Sequence, residues 1–363
     1  MRLVYLVPNI NNEGGVARVL SIKTQQLIER WGYEIHIITQ NNGHNARFYA
    51  FPPEIHFHDI QLKGNALSFL LSYKKQLNNL LSTIAPDVVV VSDNGLKAFL
   101  LPFIISKKCP TVFEAHGSRY VQEQAHISAL RLIVEKTIKQ LGAKRFTKFV
   151  SLSPQSKAEW GLPLAEIIPN PLWFTATEKA SLQNKKAIVV ARDSYEKGLD
   201  RLLLIWKQIQ INHPDWILEI YGAKSSESQL QTTITNLGLT NSVHLFDAVK
   251  NIQEQYLKAS ICLMTSRTEG FPMVILEAME SGLPVIAYDC PIGPRTLIEN
   301  EVNGYLIPDG QINLFVEQLS TLMDHSELRY QLGNNAVTSV QKYQLEPIMN
   351  QWNDLFTKLK RNN

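Results

Sequence analysis

The sequence has 363 residues, of which 45% are hydrophobic and 19% are charged, so a disordered chain is excluded and about two domains are expected. The net charge of +3 is unevenly distributed. Residues 1–170 carry +7 (19 Lys and Arg against 12 Asp and Glu), and the remainder carries −4 (17 against 21). The basic front half fits an anionic partner, such as a membrane surface, a lipid phosphate or an acidic glycan. It fits equally well a basic surface that only keeps the protein in solution.

Targeting and redox signals point to a cytoplasmic protein. Cys109, Cys262 and Cys290 show no paired spacing and lie in or beside apolar stretches, which favours reduced thiols used as small core residues. The apolar start, closed by Pro8, is too short for a signal peptide. No window approaches the roughly 18 uninterrupted apolar residues of a membrane span. Such a protein could still touch a membrane from the cytoplasmic side.

Short β-branched runs alternate with longer helical patterns along nearly the whole chain. The strands predicted in the first half are Arg2–Val7, Glu34–Thr39, Val88–Ser92, Thr111–Glu114 and Phe149–Leu152. After a linker that contains Pro and Lys, the pattern restarts with Ala187–Ala191, Ile217–Tyr221, Val243–Phe246, Ile261–Thr265 and Pro284–Tyr288. Continuous apolar runs such as VVVV are typical of a parallel sheet covered on both faces. We therefore expect an α/β protein with two doubly wound domains, which meet near residues 166–185.

Two strand ends in the first half carry candidate ligand-binding residues. The first strand is followed by PNINNEGGVARVL, in which Gly14 and Gly15 place free amides at a helix N-terminus, where an anion could bind; a simple turn is an equal alternative. His116 follows another strand in FEAHGSRY, beside a glycine that would allow close approach of a ligand, although a packed or surface histidine is the commoner case. Neither G-x-G-x-x-G nor G-K-[ST] is present, which disfavours a Rossmann dehydrogenase and a P-loop protein.

The second half opens with the strand AIVVA and the loop RDSYEKG, before a helical pattern. Arg192 leaves the carboxyl end of the strand and Lys197 precedes the helix. In open α/β sheets this edge faces the crevice where ligands bind. The two cations could hold a diphosphate, Arg192 as a fork and Lys197 as a point charge. The alternative is a pair of solvated loop charges.

The segment TEGFPMVILEAMESGLPVIAYD places two glutamates, Glu269 and Glu277, in surroundings that otherwise look buried. Pro272 fits the first turn of a helix, so Glu269 precedes that helix and Glu277 lies inside it. At a rise of about 1.5 Å per residue they are up to about 12 Å apart, whereas a glycosidase carboxylate pair is separated by about 5–9.5 Å. They suit two contacts on one elongated ligand with hydroxyls at both ends and phosphates between them, as in a nucleotide sugar. The alternative, two surface glutamates on a core helix, conflicts with the apolar flanks.

With these residues assembled, the chain resembles the GT4 family of retaining glycosyltransferases, which have the GT-B fold. The spacing from Glu269 to Glu277 is similar to the family's E-x7-E motif, and ARDSYEKG is similar to its arginine–lysine diphosphate clamp. EGGVARV resembles the N-terminal glycine loop, and EAHGS the segment that carries the donor-site histidine. The resemblance implies two Rossmann-like domains facing across a cleft. Residues 1–168 would bind the acceptor and residues 169–345 the nucleotide sugar, with a C-terminal helix at 346–363 packing back on the first domain.

The resemblance also implies roles for individual residues. Arg192 and Lys197 would bind the donor diphosphate, Glu269 the hydroxyls of the donor sugar, and Glu277 the ribose, while His116 would lie near the transferred sugar. The implied catalytic residues are thus His116, Arg192, Lys197 and Glu269, and the implied donor-binding residues are Gly14, Gly15, Arg192, Lys197, Glu269, Gly270, Phe271, Pro272, Met273, Val274 and Glu277. Two positions depart from the family pattern: Ala191 replaces a glycine, and Thr296 replaces a glutamate in GPREII-like relatives.

The function implied is transfer of a hexose, with retention, from a UDP-sugar to a glycan or lipid-linked saccharide of lipopolysaccharide, O-antigen or capsule. No metal or cofactor is expected, and no nucleic-acid partner. The acceptor would be recognised by the loops Asn41–Ile60 and Arg119–Arg145, and the basic first domain could rest on an anionic membrane. Two alternatives stay open: a non-hydrolysing UDP-sugar 2-epimerase, and a catalytically idle subunit that binds nucleotide sugar in a glycan-assembly complex.

Overall fold

The computed structural model describes residues 1–42, 45–106, 108–119, 129–223 and 229–361. The chain divides into two compact units. The first comprises Met1–Trp173 together with Leu345–Asn363, and the second comprises Phe174–Gln344. Among the described residues, no helix is long and apolar enough to cross a membrane.

The first unit is built on a seven-stranded parallel sheet. Its strands are β1 (Arg2–Leu6), β2 (Glu34–Gln40), β3 (His56–Ile60), β4 (Val88–Val91), β5 (Thr111–Ala115), β6 (Lys148–Ser151) and β7 (Glu166–Ile167). The order across the sheet is β3-β2-β1-β4-β5-β6-β7. Every side chain of β4 is fully buried, as expected for a strand covered on both faces.

Helices cover both faces of this sheet. They are α1 (Gly15–Trp31), α2 (Ala66–Ile84), α3 (Leu101–Ile104), α4 (Ala129–Ala143) and α5 (Pro154–Trp160). One face packs Tyr73, Leu77 and Leu81 of α2 against the sheet. The other packs Leu20 and Leu27 of α1. The helices thus shield alternate strand residues from water on both sides.

The second unit repeats this plan with six parallel strands. They are β8 (Lys186–Val190), β9 (Ile217–Tyr221), β10 (Val243–Phe246), β11 (Ile261–Met264), β12 (Val285–Asp289) and β13 (Gly304–Pro308), in the order β10-β9-β8-β11-β12-β13. Its helices are α6 (Leu199–Asn212), α7 (Leu230–Asn236), α8 (Gln253–Leu257), α9 (Met273–Glu280), α10 (Pro294–Leu297), α11 (Ile312–Asp324) and α12 (Ser326–Val340).

The last helix, α13 (Leu345–Arg361), belongs to the first unit. It buries an apolar face in the same core as α1: Ile348, Met349, Trp352, Leu355, Phe356 and Leu359. These residues recur every three or four positions, as one face of a helix requires.

The prediction of two doubly wound α/β domains is confirmed. All ten predicted strands are present, with no end shifted by more than one residue. A further short strand, expected after the turn at Asn303 and Gly304, is β13. Two strands were not predicted: β3, because its residues HFHDI are only partly buried, and the two-residue β7. In both sheets the strand order reverses beside the first strand of the unit, between β1 and β4 and between β8 and β11. Ligands of such sheets bind at the carboxyl ends of the strands at this switch point.

Candidate functional site

Two sequence-predicted residues meet at the switch point of the second sheet: Lys197, after β8, and Glu269, after β11. Lys197 Nζ donates to Glu269 Oε1 at 2.7 Å. The side chain of Lys197 is 24% exposed and that of Glu269 is 9% exposed. The cation thus lies at an accessible strand edge, paired with a carboxylate that is almost covered.

The loop that carries Lys197 is held in place by Thr265 and Arg267, which follow β11. Gly198 ends a short 3₁₀ turn at φ +63°, and a Cβ there would collide with the carbonyl of Thr265, so the position requires glycine. The Thr265 hydroxyl donates to the Gly198 carbonyl at 2.9 Å. Arg267 donates from its backbone to Glu196 O at 2.7 Å and from its guanidinium to Tyr195 O at 2.7 Å. Lys197 is therefore presented on a braced loop.

Glu269 is held from the other side by the loop after β12. Gly293 has φ +108°, and a Cβ there would lie 2.8 Å from Glu269 Cβ and 3.0 Å from Pro272 Cδ. Glycine thus lets this loop, residues 290–294 (CPIGP), pack directly against the segment that precedes α9.

Pro272 is the N-cap of α9 in extended conformation, just before the first turn in which the sequence analysis placed it, and that turn begins at Met273 and Val274. Their amides are at the N-terminal, partially positive end of the helix. Glu269 precedes the helix and Glu277 lies inside it, as predicted.

Glu277 lies within α9 and is only 6% exposed. The Tyr256 hydroxyl donates to its Oε2 at 3.2 Å. Burial, together with the charge of Glu277, raises the pKa of the Cys262 thiol to about 12, so this cysteine is inert as a nucleophile at neutral pH. The two glutamates are therefore not surface residues. Each is drawn into the protein with a polar partner.

Three further residues predicted in the second unit belong to the chain segments that carry Lys197 and Glu269. Arg192 is exposed, two residues beyond the end of β8. Phe271 is buried and meets the Tyr343 ring edge-on, with centroids 5.5 Å apart. Gly270 stands between Glu269 and Phe271 and is partly buried. No contact in the described structure joins Arg192 to Glu269, so their common role stays a prediction.

In the first unit, Gly14 and Gly15 stand at the start of α1, as predicted, with Gly14 at the N-cap. A Cβ added at Gly15 would meet nothing within 4 Å. Contrary to the sequence prediction, the Gly14 amide is not free, because it donates to Asn12 Oδ1 at 2.9 Å. The turn follows β1, the strand beside which the order of the first sheet reverses.

His116 is joined to a buried ion pair that the sequence analysis did not predict. Its Nε2 lies 3.4 Å from Glu114 Oε2, and its side chain is 5% exposed. Glu114 also accepts from Lys23 Nζ and from the Ser92 hydroxyl. Burial alone would raise the pKa of Glu114, but the charge of Lys23 and the hydrogen bond from His116 outweigh it and hold that pKa far below its usual range.

Lys23 is completely enclosed: its Nζ lies 3.4 Å from the centroid of the Trp352 ring, on α13. The sequence does not predict this burial, because a lysine on an amphipathic helix is normally exposed to solvent. The partner is 91 residues away. Of the two acceptor loops named from the sequence, residues 43–44 and 120–128 lie outside the described residues.

Two family models match the chain, one in each half. Residues 14–153 match the family described as glycosyl transferase 4-like, and residues 175–338 match glycosyl transferases group 1. Among curated proteins, an uncharacterized glycosyltransferase of Haemophilus influenzae is 27% identical over 97% of this chain and 98% of its own length. The amylovoran biosynthesis glycosyltransferase AmsD of Erwinia amylovora is 27% identical over 98% and 99%.

Solved structures agree on the fold. TarM of S. aureus, determined in complex with UDP and α-GlcNAc-glycerol, has a TM-score of 0.80 and 14% identity, covering 98% of this chain and 99% of its own. HepE of Anabaena, determined with UDP-glucose, has a TM-score of 0.77 and 20% identity, covering 99% of this chain and all of its own. At these identities the likeness is one of fold: the chain has the two Rossmann-like domains of the GT-B architecture.

Proposed function

Since the chain is a bacterial GT-B glycosyltransferase, we propose that it is a retaining hexosyltransferase. Its first half belongs to the glycosyl transferase 4-like family and its second half to glycosyl transferases group 1. It is related to enzymes of lipopolysaccharide and exopolysaccharide synthesis. Its donor is a UDP-sugar and its acceptor is a hydroxyl of a surface glycan or lipid-linked saccharide. HepE and TarM, whose structures contain UDP-glucose and UDP respectively, support the choice of donor.

The observation that carries this proposal is the Lys197–Glu269 pair at the β8/β11 switch point, beside the N-terminus of α9. A diphosphate entering there meets the ammonium of Lys197 and the free amides of Met273 and Val274. Arg192, on the same loop, adds a fork that matches phosphate oxygens. Glu269 is then released from Lys197 and accepts hydrogen bonds from hydroxyls of the donor sugar.

The other proposed donor contacts follow from burial and position. Glu277, deep in α9, receives the ribose hydroxyls, since a buried carboxylate binds two neighbouring hydroxyls at little cost in desolvation. Gly270 and Phe271 present backbone groups to the sugar, while Pro272 sets the entry of the helix. In the first unit, Gly14, Gly15 and His116 are the proposed contacts; Gly15 has no internal packing reason to lack a side chain, which fits a backbone that a ligand approaches.

In the reaction, the bond between the anomeric carbon and the β-phosphate oxygen breaks. The acceptor oxygen bonds to the same face of that carbon, and the acceptor proton passes to the leaving phosphate oxygen. Negative charge grows on the UDP, so fixed cations and helix amides aimed at it lower the barrier. Lys197 and Arg192 supply the charge that a divalent metal supplies elsewhere, and we propose metal-independent transfer on this basis.

The proposal is tested in two steps. Thermal-shift measurements with UDP-glucose, UDP-galactose and UDP-N-acetylglucosamine identify the donor, because a ligand of the native state raises the melting temperature by mass action. UDP release is then measured with saccharide acceptors in EDTA, and the anomeric configuration of the product is read by NMR. Transfer with retention in EDTA is expected. An inverted product, or a strict requirement for added metal, contradicts the proposal.

The same assay separates the alternatives. A non-hydrolysing 2-epimerase converts UDP-sugar to its epimer with no acceptor present. A catalytically idle subunit binds UDP-sugar and shifts the melting temperature, but releases no UDP with any acceptor. Contact of the basic first half with an anionic membrane is a finer part of the proposal. It predicts co-sedimentation with vesicles that contain acidic lipid, lost at high salt.

A further inference from the structure

A cluster of histidines lies at the edge of the first sheet. Glu34 and His36 come from β2, and His56 and His58 come from the edge strand β3, with His36 opposite His56 in the parallel register. Alternate residues of a strand share a face, so these side chains project on one side. Glu34, His36 and His56 each bring one ligand atom to within 4.8 Å of the others. We propose that these three residues form a zinc-binding site.

The donor set and its spacing suit this ion. Zinc binds imidazole nitrogens and carboxylate oxygens at about 2.0–2.2 Å, so two ligand atoms of one tetrahedral centre are roughly 3.3 Å apart. Glu34 Oε1 and His36 Nε2 are 3.0 Å apart. The ring of His56 stacks on that of His36 with centroids 4.6 Å apart, and His56 is exposed. It can therefore turn towards a bound ion without disturbing the core, and water completes the coordination.

Two further residues are placed as outer partners of these ligands. Arg2 Nε lies 2.8 Å from Glu34 Oε2, which leaves Oε1 for the ion. His36 Nδ1 lies 3.0 Å from His58 Nε2. With zinc on Nε2 of His36, its proton resides on Nδ1 and is donated to His58. Metal-bound histidines nearly always make such a second contact, which fixes the tautomer and the orientation of the ring.

Of the two histidine ligands, one is buried and held rigidly, and the other is accessible to solvent. His36 is 7% exposed, so its ring is held by the sheet, while His56 faces solvent. Because β3 is the edge strand and, among the described residues, pairs with β2 alone, an ion bound across the two strands fastens the edge strand to the sheet. The site belongs to the first unit and takes no part in the proposed donor chemistry, so its test is independent of transfer activity.

The experiment uses the full-length protein after removal of any histidine tag. Zinc bound after equilibrium dialysis is counted, and the melting temperature is measured with ZnCl₂ and with MgCl₂. We expect one zinc per chain, a higher melting temperature with zinc and no change with magnesium. Co²⁺ added in place of zinc should give the visible absorption of a four-coordinate site with nitrogen ligands. Absence of bound zinc, or an equal response to magnesium, overturns the proposal.

Variants assign the ligands. His56→Ala changes an exposed residue and should leave the fold intact while abolishing zinc binding and the cobalt absorption. His58→Ala should weaken binding by about tenfold to a hundredfold, the usual effect of losing an outer partner. His325→Ala removes an exposed histidine of the second unit and serves as the matched control, with binding unchanged. Unaltered zinc binding by His56→Ala refutes the assignment.

Discussion

Two of the lysine–glutamate pairs in the described part of the chain, one in each unit, differ chiefly in access to solvent. Lys23 and Glu114 in the first unit are 1% and 2% exposed, whereas Lys197 and Glu269 in the second are 24% and 9% exposed. The buried pair is enclosed by Ser92, His116 and Trp352. The edge pair opens onto the carboxyl ends of β8 and β11.

Because of this difference, the buried pair can only stabilise the fold, whereas in the edge pair a ligand can replace one of the two partners. No solute reaches Lys23 without unfolding the core, so its charge can only stabilise Glu114 and, through it, orient His116. Lys197 can trade the Glu269 carboxylate for a phosphate, since both are anions and its ammonium reaches solvent. Changes to the buried pair should therefore act on stability, and changes to the edge pair on activity.

The largest effect is expected for Lys23→Met. It leaves Glu114 buried without its counter-charge, and removing one partner of a buried pair costs roughly 3–5 kcal/mol of unfolding free energy. Urea denaturation measures this loss. The double variant with Glu114→Gln, which has no unpaired charge, should recover most of it. If Lys23→Met is as stable as the wild type, the ion pair does not contribute to the stability of the fold.

Lys197→Ala should lower turnover by about 10²–10³-fold, as for other single groups that stabilise developing negative charge, and should leave the denaturation midpoint unchanged. Steady-state rates of UDP release measure it. The matched control is Lys185→Ala, which removes an exposed lysine paired with Asp215 just before β8, at the opposite end of the same sheet. A surface pair of this kind contributes about 0–1 kcal/mol. Equal turnover in both variants contradicts the role of Lys197.

Glu277→Gln should weaken UDP binding by about tenfold to a hundredfold, because a hydrogen bond to a charged group contributes about 1.5–3 kcal/mol. Isothermal titration with UDP measures the change. The binding of inorganic diphosphate, which lacks ribose, should be unaffected. Should diphosphate binding fall by the same factor as UDP binding, Glu277 acts on the fold of the site and not on the ribose.

The smallest effect is expected on the free energy of unfolding at acidic pH. The pKa of Glu114 is lowered on folding, so its contribution to stability is present above the unfolded carboxyl pKa of about 4.3 and is lost as the pH falls below it. Between pH 5 and 3 the wild type should lose stability more steeply than the Lys23→Met, Glu114→Gln variant. The difference is at most about 1.4 kcal/mol per pH unit, the limit for one proton. If the unfolding free energies of the two proteins fall in parallel between pH 5 and 3, the protonation of Glu114 does not contribute to the loss of stability.

Much of the candidate site could be predicted from the sequence, because each of its residues is close along the chain to the strand or helix that positions it. Glu269 and Glu277 lie on either side of one helix start, and Lys197 follows a strand by a short loop, so spacing alone places each at a carboxyl strand edge. The histidine cluster had a signal that was not used: the alternation Glu34-x-His36 and His56-x-His58 puts ligands on one face of a strand. What spacing could not show is that β2 and β3 pair in the register that joins them.

The sequence by itself determined the two series of strands and helices, because hydrophobic periodicity and glycine or proline punctuation act over a few residues. It also determined which strand ends carry charge. Only the tertiary structure decided that Lys23 is buried against Glu114 and Trp352, that Arg267 braces the loop of Lys197, and that α13 returns to the first unit. These contacts join residues from about 70 to more than 300 positions apart. Their formation depends on how whole sheets and helices pack, and no local pattern encodes it.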